Sequence, residues 1–341
     1  MEKRRAIFLD RDGTINLNTN YVHDPREVKL LPNAVEGLRL LQQLGFLLVI
    51  VSNQSGIARG YFTMKDLKRV NDRLLELLAK EGISIAGVYF CPYHMHGTVP
   101  RYTKDSDCRK PKPGMLLQAK KDLNIDIPSS YMIGDMASDI ETAANAECRA
   151  MIYVGGDKEL ARTKVKPDVR VKDLLEAAVW VVIREQKAKM IDDPALLGRR
   201  LRKSKKTVVS TNGVFDILHP GHLNFLKASR LLGDVLVVGL NSDTSVRRNR
   251  GPSRPINKEA DRLAMLCCLE SVDYVVVFKE DDPRRFLKAL KPHIHVKDAN
   301  YKENEVVGHD TVTAAGGRIV RLPRIGDYAT SAIISRIRKP R

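Results

Sequence analysis

Two short clusters in this chain combine residue types and spacing suited to phosphate chemistry. Asp10 and Asp12 stand two residues apart in Asp10-Arg11-Asp12-Gly13-Thr14, directly after the apolar run Ala6-Ile7-Phe8-Leu9. If that run is a buried strand, both carboxylates fall at its carboxyl end, where ligands bind in open α/β sheets. Two such carboxylates repel, and partial burial disfavours both charges. A divalent cation removes the conflict, and Mg²⁺ prefers oxygen ligands of this kind. One carboxylate can then attack phosphorus while the other handles the leaving-group proton. An isolated Asp-x-Asp would be read more simply as an acidic turn bent at Gly13.

Three further segments weigh against that simpler reading. Ser52-Asn53-Gln54-Ser55 follows the apolar run 46–51 and offers hydroxyl and amide donors for phosphoryl oxygens. Arg109-Lys110 adds two cations, and Asp135, after the run 131–134, adds a third metal-binding carboxylate.

The second cluster is His219-Pro220-Gly221-His222. Pro220 suits the first turn of a helix, and Gly221 lets a phosphate approach the backbone. Two histidines three apart at a helix start can face one point. Aimed at an α-phosphate, they would stabilise the charge that develops as pyrophosphate leaves, assisted by the helix dipole. A metal site is the rival reading, but no Cys or carboxylate stands at a supporting spacing.

Strand-like runs at 6–9, 46–51, 85–90 and 131–134 alternate with helical patterns around 34–44, 64–81, 115–123 and 172–188. Alternation of this kind predicts a parallel sheet covered by helices. It restarts at Thr207, with strands at 207–210, 234–240, 273–278, 293–297 and 318–322. Helices are expected from Pro220, near 258–269 and near 284–290. The expected fold is α/β, with two doubly wound parallel-sheet domains, 1–188 and 207–341. Between them, 189–206 reads as a basic linker holding Pro194 and Gly198.

The chain has 341 residues and a formal charge of +17. Much of that charge is piled into Arg199 to Lys206, where six of eight residues are basic, and into Arg336 to Arg341. No aromatic-interleaved basic stripe, zinc-finger spacing or zipper accompanies it, so phosphorylated small molecules are better partners than nucleic acid. No apolar run approaches a membrane span. The charged start at Met1 to Arg5 lacks a signal peptide's apolar stretch, and five irregularly spaced cysteines fit a reducing compartment. A cytoplasmic location is expected, and homo-oligomerisation is left open.

The segments around Asp10, Ser52, Lys110 and Asp135 resemble the four motifs of the haloacid-dehalogenase-like phosphatases over residues 5–186. DRDGTIN, SNQSGIARG, CRKPKPGMLL and YMIGD are similar to the D-glycero-D-manno-heptose 1,7-bisphosphate 7-phosphatases, with histidinol phosphatases as near relatives. The resemblance implies Asp10 as nucleophile and Asp12 as general acid/base, with Mg²⁺ held by Asp10, Asp12 and Asp135. It implies Ser52, Asn53 and Lys110 as phosphoryl stabilisers, Arg109 as a substrate-recognition residue, and substrate contacts from Asn18 to Tyr21. Zinc binding in that family uses Cys-x-His and Cys-x-Cys pairs. The aligned positions here are Cys91, Tyr93, Ser106 and Cys108, which argues against a tetrahedral zinc site. Met136 also replaces a usual lysine.

From 207 to 338 the chain resembles the cytidylyltransferase-like superfamily, a Rossmann-type nucleotidyltransferase fold. TNGVFDILHPGH, LNSDTSVRR and GPSRPIN are most similar to the adenylyltransferases that make ADP-heptose from heptose 1-phosphate. That implies His219 and His222 on the triphosphate, with Thr211, Asn212, Gly213 and Phe215 as the pocket floor. It also implies nucleotide contacts from Asn241, Asp243, Lys297, Thr330 and Ser331, with Mg²⁺ and ATP required. Val296-Lys297-Asp298-Ala299-Asn300-Tyr301 departs from the usual V-K-G-G-D-Y, and Ala329-Thr330-Ser331 from Ser-Thr-[Ser/Thr].

Together the resemblances imply one bifunctional enzyme of nucleotide-activated heptose synthesis for lipopolysaccharide or another surface glycan. It would remove the 7-phosphate and then transfer AMP from ATP to heptose 1-phosphate. The alternative pair is a phosphatase of another phosphosugar or histidinol phosphate with a CTP-using glycerol-phosphate-type cytidylyltransferase.

Overall fold

The computed structural model describes residues 3–299, 302, 305–323, 326 and 328–338. Asn300, Tyr301 and the last three residues, Lys339, Pro340 and Arg341, lie outside them. The chain divides into two compact units, 1–183 and 184–341.

In the first unit the elements are β1 (Ala6–Leu9), α1 (Ala34–Gln43), β2 (Leu47–Asn53), α2 (Met64–Lys80), β3 (Ile85–Cys91) and α3 (Gly114–Leu123). They continue with β4 (Tyr131–Gly134), α4 (Ala137–Asn145), β5 (Ala150–Val154), the single turn α5 (Asp157–Leu160), β6 (Val169–Val171) and α6 (Leu174–Lys187). Every strand pair is parallel, in the order β3-β2-β1-β4-β5-β6. β1 and β4 are buried at every residue, as expected for strands covered on both faces. Chain order reverses beside β1, whose Leu9 pairs with Ile133 of β4. Asp10 and Asp135 thus leave adjacent strand ends at the topological switch point.

The second unit contains α7 (Pro194–Lys203), β7 (Val208–Gly213), α8 (Pro220–Arg230), β8 (Val235–Asn241), α9 (Asp243–Arg250), α10 (Glu259–Cys268) and β9 (Tyr274–Phe278). It ends with α11 (Arg284–Leu290), β10 (Ile294–Asp298), α12 (His309–Ala314), β11 (Arg318–Leu322) and α13 (Thr330–Arg338). Its sheet is also all parallel, ordered β11-β10-β7-β8-β9. The switch point lies beside β7, the strand that leads to His219.

The expected basic linker, 189–206, is corrected by this arrangement. Met190 bridges Val275, and the Ile191 amide donates to the Val275 carbonyl at 2.9 Å. α7 is capped by Asp193, whose carboxylate accepts from the Ala195 and Leu196 amides, and Pro194 occupies its first turn. Leu197 and Leu201, four apart on one face, enter the core formed by Val208, Val235, Phe286, Leu287 and Leu290. Arg199, Arg200 and Lys203 take the exposed face while Arg202 donates to the Leu290 carbonyl at 2.8 Å, so most of the charge here marks the solvent side of a packed helix.

Candidate active sites

In the first unit, Lys110 organises the carboxylates. It is 4% exposed, and its ammonium donates to Asp10 Oδ1 at 2.5 Å, Asp139 Oδ1 at 2.5 Å and the Val51 carbonyl at 3.0 Å. Three donors meet three acceptors, which satisfies a buried charge. Asn53 fixes the lysine backbone from both sides: its Oδ1 accepts from the Lys110 amide (3.0 Å) and its Nδ2 donates to the Lys110 carbonyl (3.1 Å).

Asp10, Asp135 and Asp139 bring carboxylate oxygens within 4.8 Å of one another. Burial pushes the Asp10 carboxyl well above its ordinary range against the pull of Lys110, and Asp139, Asp135 and Asp12 raise it further. Burial, then the Asp139 charge, pushes Asp135 up to about 6. Three crowded carboxylates with one ammonium are an all-oxygen set that a hard divalent cation would neutralise. Gly13 allows the crowding: a Cβ there would lie 2.2 Å from Asp135 Oδ2, and its φ of +93° is in glycine's region.

The Asp12 carboxylate is turned away from these three and is held by partners of its own. Its Oδ1 accepts from Arg11 Nε (3.1 Å) and Asn16 Nδ2 (2.9 Å), and its Oδ2 from Arg11 (2.8 Å) and Gln54 Nε2 (3.0 Å). Gln54 also donates to Ser52 Oγ at 2.8 Å, so Asp12, Gln54 and Ser52 form one chain. Asp139, which sequence reading did not single out, joins the cluster from the first turn of α4. There its Oδ2 accepts from the Met136 amide at 3.0 Å. The available signal was its spacing, four residues after Asp135.

Arg109 donates to the Tyr93 carbonyl at 3.2 Å, and Arg59 meets His94 Nε2 at 3.3 Å. Burial, with the charge of Arg59 adding to it, holds the Arg109 guanidinium below its ordinary pKa. Tyr21 is near enough to Arg109 to interact with it and packs edge-on against Tyr61 at 4.8 Å. Asn18 accepts from the Asn20 amide in a local turn, and the Ser55 carbonyl accepts from the Arg59 amide. Among the described residues, neither side chain bonds to the carboxylate cluster. A cavity of about 560 Å³ borders Asp135 with Gly13, Thr14, Tyr153, Lys158 and Lys172, but Ser52, Arg109 and Lys110 do not line it.

At the positions matching zinc ligands, the Cys91 and Cys108 thiols hydrogen-bond each other, and Ser106 Oγ lies 3.1 Å from Cys108 Sγ. The contact with Cys91 is the main force holding Cys108 down to about 6. Tyr93 places its ring under the Lys104 ammonium at 4.3 Å.

In the second unit, His219 caps α8, its Nδ1 accepting from the His222 amide at 3.3 Å. The two imidazoles stack at 3.7 Å and 14°. Phe215, with a φ of +47°, packs 5.3 Å from His222, and Tyr328 lies 6.2 Å from His219. Thr211 Oγ1 donates to the Val296 carbonyl (2.9 Å), joining β7 to β10. Lys297 donates to the Asn212 carbonyl at 3.0 Å, and burial pushes its ammonium down to about 8. Asn212 Oδ1 is a buried acceptor without a partner among the described residues. Asn241 Nδ2 donates to Ser245 Oγ at 3.1 Å, and Asp243 begins α9. Thr330 opens α13 with its hydroxyl 3.4 Å from the Ile217 carbonyl, while Ser331 is exposed beside it. The structure thus gathers β7, the His219–His222 turn and the start of α13 at one end of the second sheet. Arg262, buried beneath this end, was not legible as a site residue.

The HAD-hydrolase-like family matches residues 107–177, and the cytidylyltransferase-like family matches residues 210–332. A D-glycero-beta-D-manno-heptose-1,7-bisphosphate 7-phosphatase of Pasteurella multocida (strain Pm70) is 43% identical over 157 residues, covering 46% of this chain and 85% of that protein. A crystal structure of D,D-heptose 1,7-bisphosphate phosphatase from B. bronchiseptica, complexed with magnesium and phosphate, is 30% identical. It covers 53% of this chain and 99% of that one, with a TM-score of 0.47. The lipopolysaccharide core biosynthesis protein from Thermoplasma volcanium GSS1 is 36% identical, covering 36% of this chain and 99% of that one, with a TM-score of 0.31.

Proposed function

Through its first unit the chain belongs to the D-glycero-beta-D-manno-heptose-1,7-bisphosphate 7-phosphatase family, and on that premise we propose that it catalyses two successive reactions on one heptose. The first is removal of the 7-phosphate; the second is transfer of AMP from ATP to the remaining 1-phosphate, giving ADP-heptose and pyrophosphate. The observation that carries the phosphatase reading is the buried Lys110 holding Asp10 beside Asp135 and Asp139 at the switch point.

Lys110 occupies Asp10 Oδ1 and leaves Oδ2 to attack phosphorus. The sugar oxygen departs and takes a proton from Asp12, whose carboxyl is oriented by Arg11, Asn16 and Gln54. With that proton given up, Asp12 is the base that draws one from water as water cleaves the aspartyl-phosphate. Mg²⁺ held by Asp10 and Asp135 would neutralise the crowded carboxylates and the phosphoryl oxygens. Arg59 and Arg109, whose surroundings include thiols, a phenol and a neutral imidazole, suit the phosphate that is retained.

For the second reaction, the stacked His219 and His222 at the amino end of α8 would stabilise charge on the α-phosphate as pyrophosphate departs. Lys297, a half-buried amine with no carboxylate bonded to it among the described residues, would gain its full charge against a triphosphate. The retained 1-phosphate is the nucleophile, so the first product is the second acceptor.

The test is heptose 1,7-bisphosphate with Mg²⁺ and ATP, CTP or GTP in parallel, products read by mass. ADP-heptose is expected; CDP-linked product, or activity on glycerol phosphate instead, would favour the alternative pair. Asp10→Asn should abolish phosphate release while pyrophosphate release from supplied heptose 1-phosphate continues. His222→Ala should do the reverse. Normal phosphatase turnover in Asp10→Asn would refute the nucleophile assignment.

A further inference from the structure

We propose that Arg262 is a positioning residue of the second site, setting the spacing between the 214–216 loop and the 241–243 strand exit between which the nucleotide binds. This rests on the nucleotidyl-transfer reading. Arg262 lies on the buried face of α10 with Leu263, Leu266 and Cys267, and it is 0% exposed. Its guanidinium makes four hydrogen bonds. Nε donates to the Asn257 carbonyl at 3.1 Å, one terminal nitrogen donates to the Val214 (2.7 Å) and Asn241 (2.9 Å) carbonyls, and the other donates to Asp243 Oδ1 at 2.8 Å. The four partners come from three separate segments, and three of them are backbone carbonyls.

A buried charge is a poor way to fill a helix–sheet interface, because an apolar side chain of similar volume packs there without desolvation cost. A planar fork of donors has a different use: it holds several acceptors at fixed mutual distances. The acceptors here are adjacent to the site. Val214 immediately precedes Phe215, whose left-handed backbone turns its ring toward His222. Asn241 and Asp243 form the carboxyl end of β8 and the start of α9. Asn257 belongs to a loop latched from its other side by Asp216, which accepts from the Ile256 amide at 2.9 Å and the Asn257 amide at 2.8 Å. The Arg254 guanidinium pairs with the same carboxylate at 2.9 Å. Arg262 and Asp216 therefore fix one frame from opposite sides, with Phe215 and His222 on one edge and Asn241 and Asp243 on the other.

A lysine at 262 keeps the charge and the stem but offers three tetrahedral donors in place of the fork. Misplacing reacting groups by about 1 Å costs on the order of 100-fold in rate. Arg262→Lys and Arg262→Gln would be compared in the full chain with ATP, Mg²⁺ and heptose 1-phosphate. Pyrophosphate release, phosphate release from the bisphosphate and far-UV circular dichroism would be followed.

The expected result is a kcat for pyrophosphate release about 10-fold lower for Lys and about 100-fold lower for Gln. KM for ATP should rise less than kcat falls, and phosphate release should be unchanged. Asp216→Asn, which loosens the same loop without touching α10, should reproduce the kcat loss if Arg262→Gln fails to fold. Folded Lys and Asp216→Asn variants with kcat and KM within about twofold of the parent would overturn the proposal, leaving Arg262 a packing residue only. A parent chain that releases no pyrophosphate from any nucleoside triphosphate would overturn the nucleotidyl-transfer reading and this proposal with it.

Discussion

Replacing Lys297 with methionine should stabilise the second unit at neutral pH while weakening its use of nucleotide. Lys297 is half-buried with its ammonium on the Asn212 carbonyl, and desolvation lowers its pKa from 10.5 to about 8. A folded-state pKa below the unfolded one means that the unfolded state binds more protons between the two values. Stability therefore rises with pH across that window, and the penalty for burying the charge is fully present below it. At 1.36 kcal/mol per pKa unit the penalty is about 3 kcal/mol at pH 7, about 2 at pH 9 and under about 1 at pH 10. Methionine escapes the penalty but leaves the Asn212 carbonyl unpaired, a loss of about 1 kcal/mol. Lys297→Met should therefore be more stable than the parent by about 2 kcal/mol at pH 7, with the difference vanishing near pH 10. Trp180, the chain's single tryptophan, lies in the first unit, so its fluorescence follows that unit alone, and far-UV circular dichroism adds the second. Urea titrations at pH 7, 8.5 and 10 would give the comparison, with KM for ATP measured beside them. A Met variant less stable at pH 7, or a stability difference that does not change with pH, would refute the electrostatic argument. An unchanged KM would refute the role against the triphosphate.

Gly13→Ala should lower phosphate release by at least about 100-fold and leave pyrophosphate release intact, because the new Cβ meets Asp135 Oδ2 at a left-handed backbone position. Asp139→Asn removes one of the two carboxylates that aim Lys110, and steady-state assays should show kcat for phosphate release down by about 100-fold. Leu201→Ala should destabilise the second unit by about 3 kcal/mol in urea titrations, whereas a linker residue would give no change.

What could be read from sequence divides along physical lines. β1, β4 and β8 were legible because strands buried on both faces are unbroken apolar runs, and Asp10, Asp135 and Asn241 stand directly at their ends. The three-residue β6, with Arg170 at its centre, is too short and too polar to stand out in sequence, whereas β5 is an apolar run as legible as β1 that the sequence reading left out. The side-chain direction of Asp12 was also hidden. Its neighbour Arg11, almost fully buried, draws the carboxylate away from Asp10, and adjacency in sequence does not encode that. Asp139 and Arg262 depend on partners 29 and up to 48 residues distant, so their roles exist only in the folded chain. In 189–206 the basic residues outweighed the Leu197–Leu201 pair, which composition ignores and helical periodicity retains.

That packed helix also bears on how the chain meets proteases. Arg199, Arg200, Arg202 and Lys203 offer a trypsin-like enzyme four opportunities within five residues, yet all sit in α7. Cleavage needs an extended segment in the protease groove, so α7 must first melt, pulling Leu197 and Leu201 out of the core. The density of cleavable residues is therefore a poor guide to where the chain is nicked. A second-unit fragment begun at Thr207 would lack both leucines and the Ile191 hydrogen bond to β9; one begun before Lys189 would keep them.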